Sequence, residues 1–180
     1  MNRTLVSFPP IADPGASVLI LGSMPGKASL AARQYYAHPQ NSFWRIMREL
    51  VGLDPAASYP ERLDGLRSVG IALWDVLRSC QRKGSLDTAI RNAKPNDFAA
   101  FFKKHPSIRL VCFNGAKAEK CYLQLVLPTL ADQSPPWILL PSSSPAHAGM
   151  SFQDKVAKWR TAMAPRSRAG RKLTFHRTSN

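Results

Sequence analysis

Polar but nearly uncharged side chains stand where apolar runs of this chain give out: Ser23, His38, Asn41, Asn114, Ser143, Ser144 and His147. Val18-Leu-Ile-Leu21 empties into Gly22-Ser-Met-Pro-Gly26, Leu110–Phe113 into Asn114-Gly115, and Trp137–Leu140 into Pro141-Ser-Ser-Ser-Pro-Ala-His147. Glycine in such a turn lets the backbone come against a ligand, because no side chain keeps the ligand away. Amides, hydroxyls and imidazoles carrying so little charge suit a neutral, flat, hydrogen-bonding ligand such as a nucleobase. Small-residue loops after neighbouring strands predict one pocket at the carboxyl ends of a sheet.

Other chemistries lack their residues. The Gly22–Gly26 turn is neither a GxGxxG fingerprint nor a phosphate loop followed by GK[ST], so no nucleotide cofactor is expected. No Gly-x-Ser-x-Gly elbow accompanies Ser142, Ser143 and Ser144. His38, His105, His147 and His176 are dispersed, and Cys80, Cys112 and Cys121 make no CxxC pair. No metal ligand set follows from such spacing, and Cys112, inside an apolar run, reads as a core residue.

The elements that must position these residues alternate in type. Ser17–Leu21, Leu110–Phe113 and Trp137–Leu140 read as strands, with Ile71–Trp74 a weaker fourth. None alternates cleanly, as expected of strands covered on both faces. Helical spacing marks Asn41–Leu50, with Asn41 as N-cap, Asn96–Lys104, Ala116–Leu127, and Phe152–Met163 capped near Ser151. The alternation predicts an α/β fold, with a mostly parallel four-stranded sheet between helical layers and the loops after Leu21, Phe113 and Leu140 on one edge.

The 180 residues suffice for one domain with a real core, expected over 1–164. Residues 165–180 read as a basic, mobile tail. Lys and Arg number 25 against 11 Asp and Glu, a formal charge of +14, which self-repels unless a polyanion such as nucleic acid complements it. No apolar run approaches a membrane span and the start lacks a secretory signal, so the cytoplasm is expected, with no membrane partner.

Gly22-Ser-Met-Pro-Gly26, Gln34-Tyr-Tyr-Ala-His-Pro-Gln-Asn-Ser-Phe-Trp44, Phe113-Asn-Gly115 and Leu140-Pro-Ser-Ser-Ser-Pro-Ala-His147 together resemble the motifs of the uracil-DNA glycosylase superfamily. Within it they are most similar to the hypoxanthine-DNA glycosylase branch, related to the mismatch-specific uracil/thymine glycosylases. The resemblance runs from Val18 to Trp159. It implies a three-layer α/β/α sandwich and a metal-free, cofactor-free hydrolysis of the N-glycosidic bond of a base flipped out of DNA. The partner would be DNA containing deaminated bases, and the enzyme a monomer.

Residue roles follow from the same resemblance. The Gly-x-x-Pro turn supplies an Asp, Asn or Glu elsewhere in the superfamily, but here offers Ser23 and Met24. Asn41 then becomes the group that positions the attacking water, against its reading as a plain N-cap. An amide orients water without taking its proton. Asn114 is either a turn residue or the reader of the N–H/C=O edge shared by hypoxanthine, uracil and xanthine. Gly22, Met24, Pro25, Gly26 and His38 would line the base site. Gly26 would admit a purine where some relatives place an aromatic. Tyr35 or Tyr36 stacks on the base or packs in the core, while Phe43 and Trp44 read as packing. The loop of Ser142, Ser143, Ser144, Pro145 and Ala146 would grip the DNA backbone, unless it is a solvated turn. His147 would contact phosphate or the leaving base, and Met150 would be the wedge. Two further readings stand beside hypoxanthine excision: a uracil or thymine mismatch glycosylase, and a non-catalytic binder of damaged or single-stranded nucleic acid.

Overall fold

Alternate side chains of each central strand feed two opposite cores. The structure, a computed structural model, describes residues 4–84, 86–131 and 133–164. Its elements in chain order are β1 (Thr4–Val6), β2 (Val18–Gly22), α1 (Lys27–Ala32), α2 (Phe43–Val51), α3 (Tyr59–Ser68), β3 (Ile71–Asp75), β4 (Leu77–Gln81), β5 (Arg91–Pro95), α4 (Phe98–Lys104), β6 (Leu110–Asn114), α5 (Ala116–Leu125), β7 (Trp137–Leu140) and α6 (Phe152–Met163). Leu19 and Leu21 of β2 join Ala72, Trp74, Val111 and Phe113 in a core roofed by Phe98, Phe101, Cys121 and Tyr122 of α4 and α5. Ile20, between them, joins Ile71, Leu73 and Cys112 in a second core under Phe43, Ile46 and Met47 of α2, Leu66 of α3 and Trp159 of α6. Each such fully buried large side chain contributes roughly 1.5–3 kcal/mol. The result is the expected α/β/α sandwich.

The central sheet has the order β3-β2-β6-β7, and every pairing in it is parallel. Its register aligns the strand ends: Gly22 lies opposite Asp75, and Asn114 opposite Leu140. Parallel direction therefore delivers the loops after β2, β3, β6 and β7 to one edge, as the alternation predicts. Among the described residues no helix is long and apolar enough to cross a membrane.

Other features depart from the sequence reading. A second sheet, antiparallel with order β1-β4-β5, leans on the first core through Leu77 and Cys80. Its strand Arg91-Asn-Ala-Lys-Pro95 is mostly exposed and has no apolar alternation to read, so pairing alone makes it a strand. Helices α1 and α3 are also additional. The start of α3 carried a signal, a capping box in which Ser58 accepts from Glu61 N–H and Glu61 reaches back to Ser58 N–H. Helix α5 stops at Leu125, and Leu127–Thr129 forms a short 3-10 turn around Pro128. The basic tail, 165–180, lies outside the described residues.

Candidate active site at the strand ends

A cavity of about 540 Å³ opens at the carboxyl edge of the parallel sheet. Its lining gathers the β2–α1 turn (Gly22, Ser23, Met24, Pro25, Gly26), Tyr36, His38, Asn41, Asn114 and the β7–α6 loop from Ser142 through Ser143, Ser144, Pro145 and Ala146 to His147. Of the site residues named from sequence, Met150 alone does not line it; it lies half-buried just before the Ser151 cap of α6.

Hydrogen bonds lock three loops together around this space. Asn114 Nδ2 donates to Ser143 Oγ at 2.8 Å, and Ser143 N–H donates to Asn114 Oδ1 at 2.8 Å. Ser42 N–H and Oγ both donate to the Ser143 carbonyl, at 3.0 and 3.1 Å. Gly115 N–H donates to the Leu140 carbonyl at 3.1 Å. At φ +100°, and with a Cβ there falling 2.9 Å from Ser142 Cβ, position 115 accepts only glycine. Within the serine loop, hydroxyls stabilise successive turns: Ser142 Oγ accepts from Ser144 N–H, and Ser144 Oγ from Ala146 N–H.

Asn41 sits at the entry of α2. Its Oδ1 accepts from Phe43 N–H at 2.9 Å, and its own N–H donates to the His38 carbonyl at 2.8 Å. The formal cap position is Ser42, whose side chain makes no cap bond, so Asn41 supplies the capping oxygen from one residue further out. The capping geometry and the place in the cavity coexist. His38, exposed, accepts from Gln40 N–H through Nδ1.

The two tyrosines divide. Tyr35 is buried, its hydroxyl donating to Pro9 O and its ring set edge-on against Phe8. Tyr36 turns into the cavity from a left-handed backbone, φ 55°, and lies stacked on Phe43 at 3.9 Å. A non-glycine residue held there costs on the order of 1–3 kcal/mol, the kind of strain that gathers at functional sites. Burial, and then the Asp75 carboxylate, raise the Tyr36 phenol well above its ordinary pKa, while a hydrogen bond from Asn114 pulls the other way. Phe43 and Trp44 are buried packing residues.

Asp75 is the residue the sequence reading missed. It is 4% exposed and lines the cavity floor, where the reading expected a nearly uncharged set. Ser7 Oγ donates to its Oδ2 at 2.9 Å, and Asn96 Nδ2 to its backbone carbonyl at 2.8 Å. A Cβ on Gly22 would stand 2.6 Å from Asp75 Oδ1, so the glycine makes room for that carboxylate, while Tyr36 Oη, at 3.6 Å, would be in ordinary contact. The available signal was position: Asp75 follows directly on Ile71–Trp74, and a polar residue ending a parallel strand faces the pocket edge. Arg82, from the end of β4, was missed as well; its guanidinium donates to the carbonyls of Pro25 and Gly84 and ties the motif turn to the second sheet.

The chain is similar to known proteins of one family. The family described as the Uracil DNA glycosylase superfamily matches residues 9–165. A hypoxanthine DNA glycosylase of Methanosarcina barkeri is 41% identical over 112 residues, covering 62% of this chain and 71% of that protein. One of Methanosarcina acetivorans is 35% identical over 153 residues, covering 84% of this chain and 93% of the relative. A solution NMR structure from Methanosarcina acetivorans, provisionally described as a uracil DNA glycosylase, superposes with a TM-score of 0.76 at 34% identity, covering 88% of this chain and 96% of the other.

Proposed function

The chain belongs to the uracil DNA glycosylase superfamily, and on that premise we propose that it is a monofunctional DNA glycosylase excising hypoxanthine from deoxyinosine-containing DNA. Water adds to C1′ of the sugar, the N-glycosidic bond breaks, and the base leaves with the bonding electrons and is then protonated. The products are an unbroken abasic strand and free base.

The observation that carries the reading is that Asp75 and Tyr36 both line the cavity, each with an oxygen close to Gly22. A carboxylate accepts, and a phenol that burial holds in its neutral form has a proton to donate. Acceptor beside donor matches the N1–H/C6=O edge of hypoxanthine. Adenine turns a bare ring nitrogen toward the carboxylate and an amino group toward the phenol proton, leaving polar groups unpaired. Guanine shares the hypoxanthine edge, and its firm pairing makes extrusion costlier. Gly26 lines the cavity without a side chain, which leaves a purine's second ring no side chain to meet there, and the relatives named as hypoxanthine DNA glycosylases support the same base.

The remaining roles belong to the same proposal. Asn41 orients the attacking water, assisted by Ser23, and His147 with the loop amides faces the charge developing on the leaving base. The serine loop grips the DNA backbone. The enzyme acts as a monomer in the cytoplasm, with a charge of +14 drawing it to DNA.

The test is direct. Purified protein is incubated with labelled duplexes carrying inosine, uracil, xanthine or a G·T mismatch, and abasic sites are cleaved with alkali. The expected result is a strand break foremost in the inosine duplex. A break confined to uracil or G·T would replace hypoxanthine with a pyrimidine, and none in any duplex would make the protein a binder.

A further inference from the structure

Lys155, in the first turns of α6, is 6% exposed, and its Nζ donates to the His147 carbonyl at 2.8 Å. Ion pairs among the described residues join Arg67 to Asp13 and Asp64. The ammonium therefore rests on a carbonyl and not on a carboxylate. Its sequence neighbour Asp154 is engaged with Ser151, which donates to Asp154 Oδ2 at 2.7 Å. Loss of solvent pulls the Lys155 pKa below its ordinary value. A buried cation without a carboxylate partner is costly to a fold.

The position of this charge is specific. It lies behind the loop whose Ser142, Ser143, Ser144 and His147 line the cavity. We propose that Lys155 is the cationic floor of a phosphodiester site on the Ser142–His147 loop, its charge complemented by a backbone phosphate when DNA docks. This rests on the reading of DNA as the substrate. In the poorly screened setting beneath the loop, one such charge counts for more than an exposed lysine does. Because the loop also walls the base cavity, the anion it meets belongs to the strand carrying the extruded nucleotide.

The experiment uses the full chain and a duplex bearing a tetrahydrofuran abasic analogue, with binding followed by fluorescence anisotropy between about 50 and 200 mM salt. Lys155→Met should bind roughly tenfold or more weakly at the low end of this range, with its log–log salt slope reduced by about one. Lys155→Arg, which keeps the charge, should retain the slope. The thermal midpoint of Lys155→Met should equal or exceed that of the parent, since a desolvated charge has gone. Unchanged affinity would overturn the proposal. So would a loss that is equal at every salt and accompanied by a lower midpoint, which would make Lys155 a structural post. Lys155→Leu serves if the methionine variant does not fold, and failure of both to fold also overturns it. The parent protein separates the two readings. A slope change without cleavage of any duplex would sink the reaction and leave the phosphate site, and inosine cleavage without a slope change would do the reverse.

Discussion

Asn114 and Ser143 exchange two hydrogen bonds of 2.8 Å, amide N–H to hydroxyl and backbone N–H to amide oxygen, closing a ring between the end of β6 and the serine loop. Both ends of the Asn114 amide are thus engaged by Ser143, so much of its capacity is spent on orienting that loop. On the proposed reading, Asn114 acts on the base largely through Ser143 and the loop it holds. Asn114→Ala and Ser143→Ala should each slow single-turnover inosine cleavage. A double-mutant cycle should show a coupling of roughly 0.5–3 kcal/mol, the range for residues in one network. Strict additivity would mean that Asn114 meets the substrate on its own.

Asn41→Ala should reduce the single-turnover rate by about two to four orders of magnitude, the range for removing a water-positioning group, with little change in DNA affinity. The same substitution deletes the bond to Phe43 N–H, a capping loss of about 1 kcal/mol. Asn41→Ser separates the two effects, since serine caps nearly as well but presents no amide. Wild-type cleavage by Asn41→Ser alongside a slow alanine variant would return Asn41 to a purely structural place.

What the sequence made legible is what local pattern controls. The central strands are short apolar runs that end in Gly22, Gly115 and Pro141, and every element boundary found there lies within two residues of the reading. The motif loops were legible because their glycines and serines could not be filling a core. Asp75 was not, because its importance comes from register: pairing with β2 sets it beside Gly22, 53 positions away in the chain. Arg82 escaped for a similar reason, its partner being the carbonyl of Pro25, reached only when the second sheet packs down. Strand β5 has no apolar pattern at all, and tertiary pairing overrides its propensity.

Asp75→Ala should lower inosine cleavage by about two orders of magnitude or more, as expected when a site built to pair a ring N–H loses its acceptor. Tyr36→Phe should cost less, one donor of the pair being lost. The Tyr36 phenol, raised by burial and by Asp75, stays protonated at alkaline pH where an exposed tyrosine ionises, near about pH 10. Since a raised pKa extends the neutral form upward, no loss of rate from this group is expected between about pH 8 and 10. A fall in that window that Tyr36→Phe abolishes would show the phenol ionising and its donor role ending there.

On the proposed reading Gly26, which lines the cavity, sets the width of the site and with it the preference for a purine. It caps α1 from an extended backbone, φ −70° and ψ 170°, which any residue adopts without strain. Gly26→Tyr therefore tests volume alone. Forcing an aromatic ring into the cavity should block hypoxanthine, whose second ring needs that space, far more than uracil. Gly26→Ala, which adds a methyl group, should leave both nearly unchanged. The ratio of single-turnover rates on inosine and uracil duplexes, compared across the two variants, reads out the effect. Equal losses on both substrates in the tyrosine variant would mean that the ring obstructs DNA docking as a whole, and the gate on base size would have to lie elsewhere in the cavity.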